Sequence, residues 1–249
     1  MTCVSAESTG PSPASSTTDR HDEMPINGRT GTEATLRGVP TITLEDDPVP
    51  IVRVLGVTLG RAAANPALAQ TMDGMQGRVV LRSTTDPQAV TVTFAKGHVT
   101  VAHGADPGAE LTISADLETM GHPGAPKPKV KGAVSHPKLA LAASKVLDPP
   151  VEGGWRGAAH DFWAWAGGRA GCPPSLRLVC TDEGGELHVG APEGDGFEIH
   201  GPAWALTAVL TGQDHVGAAA LAGRVQAVGD FPTLNRLVGL LTRRMLGDD

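Results

Sequence analysis

The chain has 249 residues, of which 40% are hydrophobic and 19% are charged, so it can bury ordinary cores and is too apolar for wholesale disorder. Its formal net charge of −7 has the wrong sign for a protein that coats nucleic acid or an anionic bilayer, and we expect neither partner. Tyrosine is absent and only four phenylalanines occur, which disfavours ligands held by aromatic stacking.

The amino-terminal segment 1–46 is predicted to be a disordered leader. It is rich in Ser, Thr, Pro and Gly, and it shows neither strand nor helix periodicity, so it cannot bury enough surface to offset its ordering entropy. Its acidic residues and its lack of an apolar core argue against a signal peptide. No stretch of the chain approaches the ~20 apolar residues of a membrane span. We therefore expect a cytoplasmic protein without stable membrane insertion.

Residues 47–148 are predicted to form a first α/β module. It opens with an amphipathic helix from about Pro50 to Gln70, whose apolar side includes Leu55 and Leu59. Val90–Phe94 and Val99–Val101 then alternate apolar and polar residues around Lys96-Gly97, which is typical of a β-hairpin. A third strand at residues 110–113 and a short helix should follow.

Residues 149–154 are predicted to be a linker, and residues 155–247 a second module. Pro149, Pro150, Gly153 and Gly154 fall where neither a helix nor a strand can continue. The second module should repeat the order of the first: a short helix at residues 161–166, a hairpin around Gly184-Gly185, a third strand, and a helix that contains Leu206 and Leu210.

An internal repeat supports this division. Residues 129–139 align with residues 224–234, so that basic, Val, Ser/Asp, Pro and Leu positions coincide. Each block predicts a short strand, a capping side chain at Ser135 or Asp230, and a helix with proline in its first turn. The apolar stripe Leu139, Ala142, Ala143, Val146 of one helix then matches Leu234, Leu237, Val238, Leu241 of the other.

The order of these elements, with the run Gly223-Arg224-Val225-Gln226-Ala227-Val228-Gly229-Asp230 before an amphipathic terminal helix, resembles the sterol-carrier-protein-2 family. Residues 197–212 also resemble the carboxy-terminal domain of mycothiol-dependent maleylpyruvate isomerase-type proteins. The first half departs from the pattern, because Val134-Ser135 stands where the second half has Gly229-Asp230. The fold class expected is α+β, with two tandem modules, each an antiparallel-rich sheet covered by helices on one face.

The resemblance implies that an apolar small molecule, such as a sterol or a fatty acyl chain, binds in a tunnel between sheet and helices, by burial of apolar surface and without a cofactor. The side chains expected to line this tunnel lie on the inner faces of the strands and helices. They are Leu55, Leu59, Leu139, Ala142, Ala143, Val146, Phe197, Ile199, Leu206, Leu210, Leu234, Leu237, Val238 and Leu241.

Catalytic and metal-binding motifs are weak in this sequence. The nine histidines form no i, i+4 pair with a neighbouring carboxylate, and the three cysteines form no CxxC pair and no nucleophile motif. We therefore expect no metal and favour a binding protein. Two alternatives remain open: a cofactor-free enzyme acting on an apolar substrate, with His200 and Asp214 as the residues to inspect, and a protein-interaction scaffold whose cavities have collapsed.

Overall fold

The computed structural model describes residues 39–191 and 196–248, and it confirms an α+β fold. Its sheets mix parallel and antiparallel pairs. The first half contains β1 (Thr41–Leu44), α1 (Pro50–Ala64), α2 (Pro66–Asp73), β2 (Gln76–Ser83), β3 (Ala89–Ala95), β4 (His98–His103), β5 (Leu111–Ala115), β6 (Lys129–Lys131) and α3 (Pro137–Leu147). The second contains α4 (Gly154–Ala166), β7 (Ser175–Cys180), β8 (Glu186–Gly190), β9 (Phe197–Gly201), α5 (Ala203–Thr211), α6 (Val216–Leu221), β10 (Gln226–Val228) and α7 (Phe231–Leu246).

The start of the first half differs from the sequence prediction. Strand β1 lies inside the segment assigned to the leader, and it pairs in parallel with β4, Ile42 opposite Val99. Pairing with a distant strand supplies the hydrogen bonds and apolar contacts that local composition does not predict. The remainder of the leader, residues 1–38, lies outside the described residues.

The first long helix is interrupted at Asn65. Pro66 has no N–H to continue the hydrogen-bond ladder of α1, and it occupies the first turn of α2 instead. The Asn65 side chain accepts hydrogen bonds from the N–H groups of Ala67 and Leu68 and so caps α2. The prediction of one continuous helix to Gln70 was therefore wrong.

Each half has its own sheet and its own hydrophobic core. The first sheet has the order β1-β4-β3-β2-β5-β6 and the second has the order β10-β9-β7-β8. The two cores are formed separately, one by residues between Val52 and Val146 and one by residues between Trp155 and Leu241. Both sheets belong to one compact unit, Arg37–Asp249, in which α1 packs against α7.

The two sheets share a four-stranded motif that sequence comparison aligned incorrectly. β2 pairs antiparallel with β3 and parallel with β5, and β5 pairs antiparallel with β6. β7 has the same relations to β8 and β9, and β9 to β10. The hairpin equivalent to β7-β8 is therefore β2-β3, whereas the sequence had matched it with β3-β4. Strand β2 was not predicted, and β1 and β4 have no counterpart in the second sheet.

The register of the last strands also corrects the repeat. Val130 pairs with Ile113, and Ala227 pairs with the equivalent residue Ile199. Val130 thus corresponds to Ala227, and not to Val225 as the constant offset had it. The residue after each closing strand is then a glycine, Gly132 or Gly229, and both have positive φ.

The caps and connections of the two halves are different. Asp230 Oδ1 accepts a 2.9 Å hydrogen bond from Thr233 N, which confirms the predicted cap of α7. The predicted cap Ser135 was wrong, because α3 follows His136, which makes no side-chain cap bond. Between β5 and β6, residues 116–128 form turns and loops in place of the predicted short helix.

Candidate functional site

An open cleft of about 620 Å³ lies at the end of β9, alongside β10. β9 leads through Gly201 and Pro202 into α5, and Thr181 N donates a hydrogen bond to Gly201 O beside it. The walls of the cleft come from the second half alone and mix apolar with polar side chains. The lining residues are Thr181, His200, Gly201, Pro202, Ala220, Gly223, Arg224, Val225, Gln226, Ala227 and Leu234.

Arg224 is fixed in this wall by a buried carboxylate. Its Nε lies 3.0 Å from Asp214 Oδ2 and its Nη2 lies 3.2 Å from Asp214 Oδ1, a two-point hydrogen-bonded ion pair. The Asp214 side chain is only 8% exposed, whereas that of Arg224 is 24% exposed. The guanidinium therefore stands between a buried anion and the cleft.

The first half contributes to the support of this pair. His122 lies in the loop 116–128, and its Nε2 is 3.6 Å from Asp214 Oδ2. Its ring is tilted by 50° over Trp204, with centroids 5.0 Å apart. Asp214 thus contacts an arginine of the second half and a histidine of the first. Nothing in the local sequence around His122 indicates this contact.

A second set of charged residues lies on the outer face of the second sheet, on β7, β8 and β9. His200 Nε2 is 2.8 Å from Glu198 Oε2, and Arg177 binds Glu198 and Glu186. The hydrogen bond from His200, followed by that from Arg177, lowers the pKa of Glu198. A smaller cleft of about 300 Å³ is lined by Arg177, His188, Gly196 and Glu198.

The residues expected to line a tunnel lie in the two hydrophobic cores. Only Leu234 reaches the 620 Å³ cleft. Two others, Ala142 and Val238, are half-buried against the cores. The remainder are buried: Leu55, Leu59, Leu139, Ala143 and Val146 in the first core, and Phe197, Ile199, Leu206, Leu210, Leu237 and Leu241 in the second.

Sequence reasoning missed most of the cleft. Thr181 and Ala220 carry no motif, and they meet Gln226 only because β7, α6 and β10 converge at one end of the second sheet. Asp214 and His200 had been singled out for inspection, and the structure places His200 in the cleft wall and Asp214 behind Arg224. The one available signal was the resemblance around residues 221–230, which form one side of the cleft.

The tryptophans of α4 belong to the second core. Trp155 is 2% exposed and donates from Nε1 to Glu183 Oε2, and Trp163 and Trp165 pack against the same core. Cys180 is also buried, and desolvation raises the pKa of its thiol, as it does for Cys172. Raised thiol pKa values disfavour a nucleophilic role for these two cysteines.

Among the residues that the structure describes, no group of three or more His, Cys, Asp or Glu side chains could hold a metal ion. Within the same residues, none of the helices is long and apolar enough to span a bilayer. No family model matches the chain, and neither a curated protein nor a solved structure shows significant similarity to it.

Proposed function

We propose that the second half binds a small, largely apolar molecule with one polar end in the 620 Å³ cleft. The single observation that carries the proposal is the composition of the cleft wall: apolar side chains such as Val225, Ala227 and Leu234 face the same space as Thr181 and Arg224. Specific small-molecule sites combine an apolar lining with a few convergent polar groups in this way, at comparable volume.

Helices α6 and α7 each carry an exposed apolar side chain close in sequence to a lining residue. Phe231 is 70% exposed, and it lies one turn before Leu234 on α7. Leu221, which is 93% exposed, adjoins the lining residue Ala220 on α6. Covering such side chains with a ligand is worth about 25 cal/mol per Å² of apolar surface removed from water. A ligand that extends from the cleft over either side chain would gain further free energy of binding.

The same proposal treats the chain as two tandem modules of sterol-carrier type. The shared four-stranded motif of the two sheets supports a duplicated architecture. The position of the site differs from the tunnel that the resemblance implies, since the cleft opens at the sheet edge and the inner faces are occupied by core side chains. In this proposal the binding site of the second module is the cleft at β10.

Fluorescence titration with a neutral apolar probe, dansyl-labelled undecanamide, tests this proposal. We expect saturable binding to the full chain. Ala220→Phe, which places a ring among the lining residues, should weaken it at least about tenfold by filling the cleft. Ala218→Phe is the matched control, because Ala218 is an exposed residue of the same helix outside the lining.

Two results would contradict the proposal. One is the lack of saturable binding by the wild-type chain. The other is equal binding by Ala220→Phe and Ala218→Phe, which would place the probe elsewhere. Native mass spectrometry of protein purified from its own host provides an independent measurement, because a co-purified apolar compound would reveal the ligand class directly.

A cofactor-free enzyme is the second candidate function, and one observation favours it. His200 lines the cleft, and its Nε2 is held 2.8 Å from Glu198, an arrangement that can orient an imidazole as a proton acceptor. If the chain transforms its ligand, the compound recovered after incubation differs from the compound added. His200→Asn would then retain binding and abolish the conversion, which NMR of the recovered compound measures.

A further inference from the structure

The two edges of the Arg224 guanidinium differ in their hydrogen bonding. Its Nε and Nη2 face Asp214, which satisfies the side-on edge. Nη1 makes no hydrogen bond with the residues that the structure describes, although Arg224 is part of the cleft wall. The end-on edge, formed by Nη1 and the second N–H of Nη2, is therefore available. A planar carboxylate matches such an edge with two parallel hydrogen bonds.

Arg177, on β7, shows the same arrangement with a second carboxylate bound. Its Nε and Nη2 both donate to Glu186, at 3.1 and 2.7 Å, as those of Arg224 donate to Asp214. Its Nη1 donates to a second carboxylate, Glu198, at 3.0 Å. Arg177 thus binds one carboxylate through Nε and Nη2 and a second through Nη1. Among the described residues, Arg224 binds only Asp214, and its Nη1 has no acceptor.

We infer that the second carboxylate of Arg224 is supplied by the ligand, so that the cleft selects an apolar carboxylic acid over neutral analogues. This inference rests on the proposed function, and it names the polar end of the ligand. In the complex, the carboxylate accepts hydrogen bonds from Nη1 and Nη2 of Arg224, and the apolar part lies against Val225, Ala227 and Leu234.

The surroundings of Arg224 favour this assignment. Asp214 holds the guanidinium in place, so little side-chain freedom is lost when a ligand binds. His122 lies against Asp214, and His200 lies in the cleft wall. Glu198, the carboxylate nearest to His200, is already paired with His200 and Arg177, which offsets its repulsion of an incoming anion.

Comparison of two probes tests the inference: dansyl-labelled undecanoate and its primary amide, which differ only in the charged end. The wild-type chain should bind the acid about tenfold or more tightly than the amide, because a charge-assisted two-point contact is lost in the amide. In Arg224→Gln the ratio of the two affinities should fall to near one. Arg224→Lys keeps the charge without the fork and should give an intermediate ratio.

The control variant is Arg82→Gln, which removes an exposed arginine from the first sheet and should keep the wild-type ratio. If the wild-type chain binds both probes equally, the inference is overturned and the proposed function stands. If it binds neither probe, the proposed function fails as well. If Arg224→Gln does not fold, the wild-type ratio and the Arg224→Lys ratio still decide the question.

Discussion

His122 of the first half lies 3.6 Å from the Asp214 carboxylate of the second half and stacks at a tilt on Trp204. The loop that carries His122 occupies the place in the chain, between β5 and β6, where the second half has α5 and α6. The first half thus has a loop at this place in the chain, and the loop contacts Trp204 of α5 and Asp214, which lies between α5 and α6.

We expect His122→Ala to lower the free energy of unfolding by about 1–2 kcal/mol, because a half-buried ring contact and a neighbour of a buried carboxylate are lost together. The measurement is urea denaturation followed by tryptophan fluorescence. His98→Ala is the control, since His98 is exposed on β4 and should cost little. Equal effects of the two substitutions would show that the loop contact contributes nothing to stability.

Gly132 and Gly229 occupy equivalent positions after the closing strands, with φ of 93° and 150°. A Cβ at Gly132 would overlap the Glu110 carbonyl oxygen, and one at Gly229 would overlap the Phe197 ring. Substitution of either by alanine should therefore destabilise the chain by about 2 kcal/mol or more. Thermal denaturation monitored by circular dichroism measures both effects.

Gly239→Ala provides the contrast to these two variants. Gly239 lies within α7, and a Cβ there would meet no atom within 4 Å apart from the adjoining backbone of its own helix. Alanine should therefore raise stability by about 0.5–1 kcal/mol through helix propensity. A neutral result for Gly132→Ala or Gly229→Ala would contradict the steric overlap expected at that position.

Asp230 caps α7, and its hydrogen bonds to Thr233 lower the pKa of its carboxyl group. Because the folded-state pKa lies below the unfolded value, the stabilisation is present above the unfolded pKa and is lost as the pH falls through the folded pKa. Asp230→Ala should reduce the urea midpoint near neutral pH, and the difference from wild type should disappear in acid. Ser135→Ala should leave the midpoint unchanged, because Ser135 does not cap α3.

Arg61 of α1 is half-buried, and its guanidinium reaches Thr211 of the second half. Its Nη2 donates to the Thr211 carbonyl oxygen, but Nη1 is buried without a partner among the described residues. Burial, followed by repulsion from Arg244, lowers the pKa of Arg61 to about 10. An unsatisfied buried donor is costly, so we expect Arg61→Met to be neutral or to stabilise the chain by about 1 kcal/mol.

The pH dependence of the stability difference between wild type and Arg61→Met tests whether the charge of the Arg61 guanidinium causes that difference. Above the folded pKa of about 10 and below the higher pKa of arginine in the unfolded chain, the unfolded chain binds more protons than the folded chain, so the contribution of Arg61 to stability rises with pH. Any advantage of Arg61→Met should therefore shrink above about pH 10. Guanidinium chloride denaturation between neutral pH and pH 11 measures it. A large loss of stability in Arg61→Met at neutral pH would contradict this account.

Several elements could be predicted from the sequence because their signals are local. Alternation around Lys96-Gly97 and Gly184-Gly185 predicted two hairpins, and both are present. Asp230 was identified as a cap from residue type and from the proline that follows, and its side chain makes the expected bond. The apolar spacing on α7 correctly placed Leu237 and Leu241 against a core. Each of these features depends on residues within about one turn or one hairpin.

The tertiary structure decided the rest, because it depends on which distant strands pair. Strand β1 is positioned by its pairing with β4, and β2 by its pairing with β3 and β5. Local periodicity does not reveal such partners. The correct equivalence of Gly132 with Gly229 follows from strand register alone. The cleft likewise exists only where α6, β10 and the end of β9 converge, and there Asp214, supported by His122 of the other half, orients Arg224. Local sequence patterns thus determined the two hairpins, the cap of α7 and its apolar face, and long-range pairing determined the site.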